Sequence, residues 1–438
     1  MAPKAKRKGN RRIIGVIRRC LCSDALKVNF RRSPKDFTRD RKMPFKKVVL
    51  FMLSLSRRSL QLELTGFVRA FADGVRNVTG SAFNQSRRKV DPGVFKELMR
   101  VMNQEFYTDN DERVKRWEGL RLLAVDGSYM SLPHTSELQE RYGGSSNQHG
   151  NRIVQGRCSV LYDVLNNMVL DAVLAPFKEG ERTLALRHLP HCQEGDLVLF
   201  DRGYPGFPLM LALQERGAQY VMRCNHTFNK EVAAFVRSGA TSSNLRMAPG
   251  RNTPITWGPG KHLRLHLRMV KVLLDSGELE ILLTSLVDEE RYPTAVFKDL
   301  YHKRWGVERF YNTIKNIARV EHFTGHTDVV IQQDFHCALF MCNLHALLLD
   351  EANDQLPAAH PERKLSYKIN SNVSFGYMKQ EVLRILSDRN DERSMRDLSE
   401  LFLSSTVPIR PGRSFPRNRE KYRTRNKPVY LTNSKPAL

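Results

Sequence analysis

Three acidic residues far apart in the sequence, Asp126, Asp201 and Glu308, stand out by their surroundings. Glu308 lies in Tyr301-His-Lys-Arg304-Trp-Gly-Val-Glu308-Arg-Phe-Tyr-Asn-Thr-Ile-Lys315, where apolar residues recur at three- and four-residue steps (Trp305, Phe310, Ile314, Ile317, Val320) and predict a helix. At about 100° per residue, Tyr301, Arg304, Glu308 and Lys315 fall within a stripe of roughly 60° on one face. A carboxylate in line with a phenol, a guanidinium and an ammonium suits a metal ion plus phosphates. The plainer alternative is a solvated face on which Arg304 and Glu308 form an i,i+4 ion pair. Asp126 closes the apolar run Leu122-Leu-Ala-Val, and Asp201 closes Leu197-Val-Leu-Phe. Either aspartate alone is equally suited to capping a turn, as Asp126-Gly127 would. Together the three offer hard oxygen ligands to Mg²⁺ or a similar cation. Two such ions about 3.5–4 Å apart activate the attacking oxygen and stabilise the leaving one in phosphoryl transfer.

The elements that must position these acids can be read from the pattern. Strand-like stretches at Arg152–Val164 and Met168–Leu174 join through an Asn166-Asn167 turn, a helix is expected over Glu181–Leu189, and Leu197–Asp201 is the next strand. Pro205–Arg216 reads as helix and Gln219–Arg223 as strand. Continuous apolar strands alternating with helices describe a sheet buried on both faces. Chemistry in such sheets collects beyond the carboxyl ends of the strands, where Asp126 and Asp201 sit. Further along, Leu263-Arg-Leu-His-Leu-Arg-Met269 alternates and Asp275-Ser-Gly277 turns the chain, which predicts a β-hairpin with Arg264, His266 and Arg268 on one basic face. Trp257, in the preceding Pro/Gly loop, either stacks on an unpaired base or packs against that hairpin.

The partner is suggested by charge. The 438 residues carry 71 Lys+Arg against 46 Asp+Glu, a formal charge of +25 that points to DNA or RNA. Hydrophobic content of 41% is that of a folded chain, so the surplus is not a mark of general disorder. Seven cysteines without paired spacing and no signal-peptide pattern lead us to expect a reducing, cytoplasmic setting. No apolar run reaches the ~18 residues of a membrane span, and Val48–Leu53 and Ala338–Leu349 suit buried helices.

Six regions follow from these changes of character: a basic arm over 1–42; a helical DNA-binding region over 43–115; a first part of the catalytic core over 116–224; a β-rich insertion over 225–284; a second core part over 285–350; and a helical C-terminal region with a basic tail over 351–438. Within the second, Ser81-Ala-Phe-Asn-Gln-Ser-Arg-Arg-Lys-Val90 forms a short basic helix after Gly80. It could be the reader of a helix-turn-helix, with Asn84, Gln85, Arg87, Arg88 and Lys89 near DNA, or simply a basic surface helix. His336, Cys337, Cys342 and His345 lack zinc-finger spacing and lie in an apolar helical stretch. No Walker loop, dinucleotide fingerprint or Gly-x-Ser-x-Gly elbow occurs.

The strand-end Asp in Leu-Leu-Ala-Val-Asp-Gly-Ser, the Asp201-Arg-Gly-Tyr204 segment and the Tyr-x2-Arg-x3-Glu-x6-Lys spacing resemble the DDE transposases of the insertion-sequence-four group. Leu283-Thr-Ser-Leu286, the Ala82–Arg87 helix and the Arg-Pro-Gly-Arg segment at 410–413 add weaker similarity, so the resemblance spans most of 45–425. It implies a ribonuclease-H-like α/β catalytic core interrupted by a β-rich insertion, with a helical N-terminal DNA-binding region and a helical, basic C-terminal region. Asp126, Asp201 and Glu308 would be catalytic and hold two Mg²⁺ or Mn²⁺ ions. Tyr301, Arg304 and Lys315 would grip transposon-end phosphates, with Arg202, Trp257, Arg87 and Arg88 as further DNA contacts. The implied partners are transposon-end and target DNA, bound by a homodimer associated with the bacterial nucleoid, without a membrane. A catalytically silent DNA-binding relative and a nuclease limited to hydrolysis are the alternatives.

Overall fold

The computed structural model describes residues 3–39, 41–54, 59–71, 78–108, 113–146, 152–250, 263–359, 365–387 and 391–410. Trp257 lies outside them, as does the tail beyond Arg410. The chain begins with helices α1 (Pro3–Cys22), α2 (Asp24–Phe30), α3 (Phe45–Ser54), α4 (Leu60–Phe71), α5 (Gly80–Arg87) and α6 (Gly93–Thr108). Then come β1 (Arg121–Ser131), α7 (Ser136–Tyr142), β2 (Gly144–Ser146), β3 (Arg152–Asp163), β4 (Met168–Pro176), α8 (Glu181–Arg187), β5 (Asp196–Phe200), α9 (Phe207–Gln214), β6 (Gln219–Cys224) and α10 (Lys230–Arg237). They are followed by β7 (Ser242–Met247), β8 (Leu265–Leu273), β9 (Leu279–Thr284), α11 (Val296–His302), α12 (Trp305–Asn312), α13 (Asp328–Ala359), α14 (Ser371–Leu386) and α15 (Asp391–Ser404). The described residues divide into two compact units. A helical one falls within Met1–Arg113, Pro133–Leu138 and Ile314–Leu438, and a sheet-bearing one within Val114–Leu132 and Gln139–Thr313. No helix among the described residues is long and apolar enough to cross a membrane.

The sheet-bearing unit is a mixed α/β structure on one nine-stranded sheet in the order β2-β3-β1-β5-β6-β9-β8-β7, with β4 also pairing β3. Strand β1 is antiparallel to β3 and parallel to β5, and β5 is parallel to β6. Leu122–Val125 and Leu197–Leu199 are at most 1% exposed, which is why both runs are apolar without alternation. The β3–β4 turn places Asn167 at φ 57°, a left-handed conformation Asn tolerates, and the β8–β9 turn places Gly277 at φ 82°. Strands β7–β9 extend the same sheet, because β9 pairs antiparallel with β6.

Two basic residues expected on open faces, one of them (Arg87) near DNA, are instead enclosed. Arg268, expected on the open face of the hairpin, is 0% exposed and donates to Ser242 Oγ (2.8 Å), the Tyr292 carbonyl (2.5 Å) and Thr294 Oγ1 (2.9 Å). In the helical unit, Arg87 is 1% exposed and donates to Gln333 Oε1 (2.8 Å), Thr324 Oγ1 (2.5 Å) and Asp334 Oδ1 (2.7 Å). A guanidinium is retained in a low-dielectric interior only when paired and hydrogen-bonded in this way, and so committed it cannot also read a base edge. Its neighbours Asn84, Gln85 and Arg88 are exposed.

The helix expected to run from Tyr301 to Lys315 is broken twice. A turn at Lys303-Arg304 separates α11 from α12, and a π-helical segment, Thr313–Ile317, follows. Lys303 and Arg304 keep right-handed helical dihedrals through the first break, and Arg304 still lies over the Tyr301 ring and bonds Glu308, so Tyr301, Arg304 and Glu308 remain neighbours. Lys315 lies in the π segment and belongs to the helical unit.

Candidate active site

The parallel β1–β5 register pairs Leu123 with Val198 and Ala124 with Leu199. The same offset, carried two residues further, brings Asp126 level with Asp201 just past the last paired rung. Asp126 lies within β1 and not at a turn as the sequence suggests, since β1 stays paired to β3 as far as Ser131. Its Oδ1 accepts from the Gly127 amide (2.8 Å), and Asp201 Oδ1, just after β5, accepts from the Gly203 amide (2.8 Å).

Two tyrosines tie α11 and the Glu308-bearing α12 to the backbone at the two aspartates. Tyr301 Oη on α11 donates to the carbonyl of Phe200, the residue before Asp201 (3.2 Å). Tyr311 Oη on α12 donates to the carbonyl of Asp126 itself (2.8 Å). Both rings are buried, so Tyr301 is placed to position a helix, where the sequence had suggested a phosphate contact. Tyr311 was not anticipated, although its spacing of three from Glu308 puts the two on one side of α12.

Glu308 is half-buried and accepts from Arg304 Nη2 at 2.7 Å. The i,i+4 pair is therefore present, but not on a solvated face, since Arg304 is only 8% exposed. Its guanidinium lies 5.8 Å from the Tyr301 ring centre and 5.7 Å from that of Trp305, and its Nε is buried without an acceptor. Trp305 itself, expected among the apolar residues of the helix, is 46% exposed. Arg202, in the turn after Asp201, is exposed.

The electrostatics report how the groups share one field. Burial pushes the Asp126 carboxyl up to about 6, and Asp201 and Glu308 add to the rise as like charges, while the Gly127 amide and Arg304 oppose it. A carboxylate held against its own charge by burial and by two other acids fits a hard divalent cation with oxygen ligands. Among the described residues, no three acidic, histidine or cysteine side chains already converge as an ion would need. Glu308 is turned to Arg304, and each aspartate to its own amide.

A buried Ser159–His188–Asp171 chain lies in the same unit, with His188 Nε2 2.9 Å from Ser159 Oγ and Nδ1 2.7 Å from Asp171 Oδ2. Ser159 and His188 are 0% and 1% exposed, so the chain cannot act on substrate; it anchors the C-terminal end of α8 to β3 and β4.

Residues 117–344 match the profile of the transposase DDE domain family. The chain is 22% identical over 386 residues to the transposase InsG for insertion sequence element IS4 of Escherichia coli (strain K12), covering 86% of each. It is 21% identical over 314 residues to the transposase for insertion sequence element IS231B of Bacillus thuringiensis subsp. berliner, covering 59% of this chain and 63% of that one. The piggyBac transposase in a synaptic complex with hairpin DNA aligns over 98% of this chain and 90% of its own, with a TM-score of 0.41 and 11% identity. With the family profile spanning more than half of its length, the chain belongs to the DDE transposases, in the insertion-sequence-four group.

Proposed function

We propose that this protein binds the ends of its insertion sequence, cleaves them, and joins the resulting 3′-hydroxyls to target DNA, with Asp126, Asp201 and Glu308 as the catalytic carboxylates. The observation that carries the assignment is the register bringing Asp126 level with Asp201, together with the Tyr311 hydroxyl that fixes the Glu308 helix to the Asp126 carbonyl. The strand order around β1, antiparallel on one side and parallel on the other, supports a ribonuclease-H-like core.

Two Mg²⁺ or Mn²⁺ ions bound by these acids would supply activation of the attacking oxygen and stabilisation of the leaving one. The chain's own residues do the rest. Arg304 balances the charge of Glu308 and Asp126 and offers its unused Nε to a phosphate oxygen, as a planar guanidinium is suited to do. Exposed Arg88 and Arg202 contact DNA, and Lys315 adds a point charge. The +25 surplus holds the duplex by neutralising phosphates. A homodimer, one copy per end, accounts for joining both ends of the element.

A supercoiled plasmid carrying the candidate ends tests the reading. Excision followed by joining into a second plasmid is expected; cleavage without joining would leave a nuclease, and binding without cleavage a silent relative.

A further inference from the structure

Glu181, the first residue of α8, belongs to none of the motifs above, yet its carboxylate stands beside Gly127, next to Asp126 in β1, and beside Gly203 in the turn after Asp201. A Cβ built on Gly127 would lie 3.3 Å from Glu181 Oε1. One built on Gly203 would lie 3.2 Å from Glu181 Oε2 and 3.1 Å from Asp201 Oδ1. The carboxylate is thus seated between the residue that follows Asp126 and the turn that follows Asp201. Glycine at both places leaves it the room.

The seat is built from several sides. Arg182 Nε donates to the Gly203 carbonyl at 3.0 Å, tying α8 to the Asp201 turn, and His188 clamps the other end of the helix through Asp171 and Ser159. Arg157 Nη1 stands 3.4 Å from Glu181 Oε1, a long contact that leaves Oε2 outside the pair. An independent sign of a missing ligand comes from Tyr204. Its ring is 1% exposed, its hydroxyl is buried without a partner, and the charges acting on that hydroxyl are those of Asp126, Glu181, Asp201 and Arg157. A buried hydroxyl in the field of three carboxylates, with no hydrogen-bond partner of its own, has a bond to give to a further group bound near them.

We propose that Glu181 is a fourth carboxylate of the active site, binding a divalent cation together with Asp126 and Asp201, with the Tyr204 hydroxyl hydrogen-bonded to that ion's water or phosphate ligand. The proposal rests on the transposase reading and adds to it a ligand outside the Asp, Asp, Glu set. Sharing one ion among three acids on the sheet side leaves Glu308, with Arg304, free to serve a second ion or the phosphate beside it.

The test uses the full-length protein and Mn²⁺ alone, followed by electron paramagnetic resonance of the free ion, with thermal midpoints recorded in parallel. Wild type is expected to bind Mn²⁺, and Glu181→Gln to weaken the tighter site at least tenfold, as Asp126→Asn does, at an unchanged midpoint. Tyr204→Phe should weaken it by a smaller factor and alter the Mn²⁺ line shape. If Glu181→Gln lowers the midpoint, Glu181→Asp is read in its place, and weakened Mn²⁺ binding in that variant at a wild-type midpoint supports the proposal. Unchanged Mn²⁺ binding in Glu181→Gln alongside a loss in Asp126→Asn overturns the role of Glu181 and leaves the transposase site standing. No Mn²⁺ binding by wild type, or none lost in Asp126→Asn, overturns both.

Discussion

Arg304 Nη2 donates to Glu308 Oε1 at 2.7 Å from a position only 8% exposed, so the cation of the signature helix pair is enclosed while its acid is half-open. Removing the arginine leaves Glu308 and Asp126 without their nearest positive charge. Arg304→Ala should therefore reduce end cleavage by orders of magnitude and cost about 1–2 kcal/mol in stability, less than a fully buried pair because Glu308 is partly solvated. Arg304→Lys should rescue poorly, since a point charge cannot replace a planar fork. Plasmid cleavage and chemical unfolding read the two effects separately.

Asp126 gives a pH dependence whose sign follows from its environment. Its folded carboxyl titrates at about 6 against an ordinary 3.8, so the folded state binds the proton more tightly than the unfolded chain. Stability without metal is therefore highest below the unfolded value and falls as pH rises through the folded one, by about 3 kcal/mol in total from this group. Asp126→Asn should raise the melting temperature at pH 7 and flatten the fall between pH 4 and 6. Thermal unfolding in chelator across that range checks it.

The two helix-anchoring tyrosines should behave alike. Tyr301→Phe deletes a hydroxyl bond to the Phe200 carbonyl and Tyr311→Phe one shared between the Asp126 and Cys158 carbonyls, each worth about 1 kcal/mol, and both loosen Glu308 against the aspartates. Cleavage should fall while end-DNA affinity stays within twofold, measured by fluorescence anisotropy. A weakened affinity in Tyr301→Phe would return that residue to the phosphate contacts.

Arg87 and Arg88 are adjacent and should separate cleanly. Arg87→Ala removes the cation paired with the buried Asp334 carboxylate, leaving it only its Thr324 bonds, and should destabilise the protein by about 3–5 kcal/mol. Arg88→Ala, on the surface, should alter stability by less than about 0.5 kcal/mol and weaken DNA binding with a shallower salt dependence. Urea unfolding and binding at several salt concentrations distinguish them.

The contrast shows where sequence reasoning reaches its limit. The apolar runs before Asp126 and Asp201 were legible because a strand buried on both faces must be apolar throughout, although β1 runs on past Asp126 to Ser131. The Asn167 and Gly277 turns were legible because left-handed backbone selects those residues. Arg87 and Arg268 were misplaced because their burial is decided by partners absent from the local pattern: Gln333 and Asp334 lie some 246 residues from Arg87. Of the expected stripe, Tyr301, Arg304 and Glu308 stay adjacent, but a periodic sequence does not reveal the turn at Lys303-Arg304 or the π segment that carries Lys315. Glu181 and Tyr311 carried no recognisable spacing to the aspartates; only the sheet register and the helix docking bring them there.

The central claim, that Asp126, Asp201 and Glu308 form one catalytic centre on DNA, is tested most directly by Asp126→Asn, Asp201→Asn and Glu308→Gln in an end-cleavage assay on the supercoiled plasmid with Mg²⁺. The expected result is loss of cleavage and joining in all three, with end-DNA binding within a few-fold of wild type. Wild-type cleavage by any one of them would contradict it.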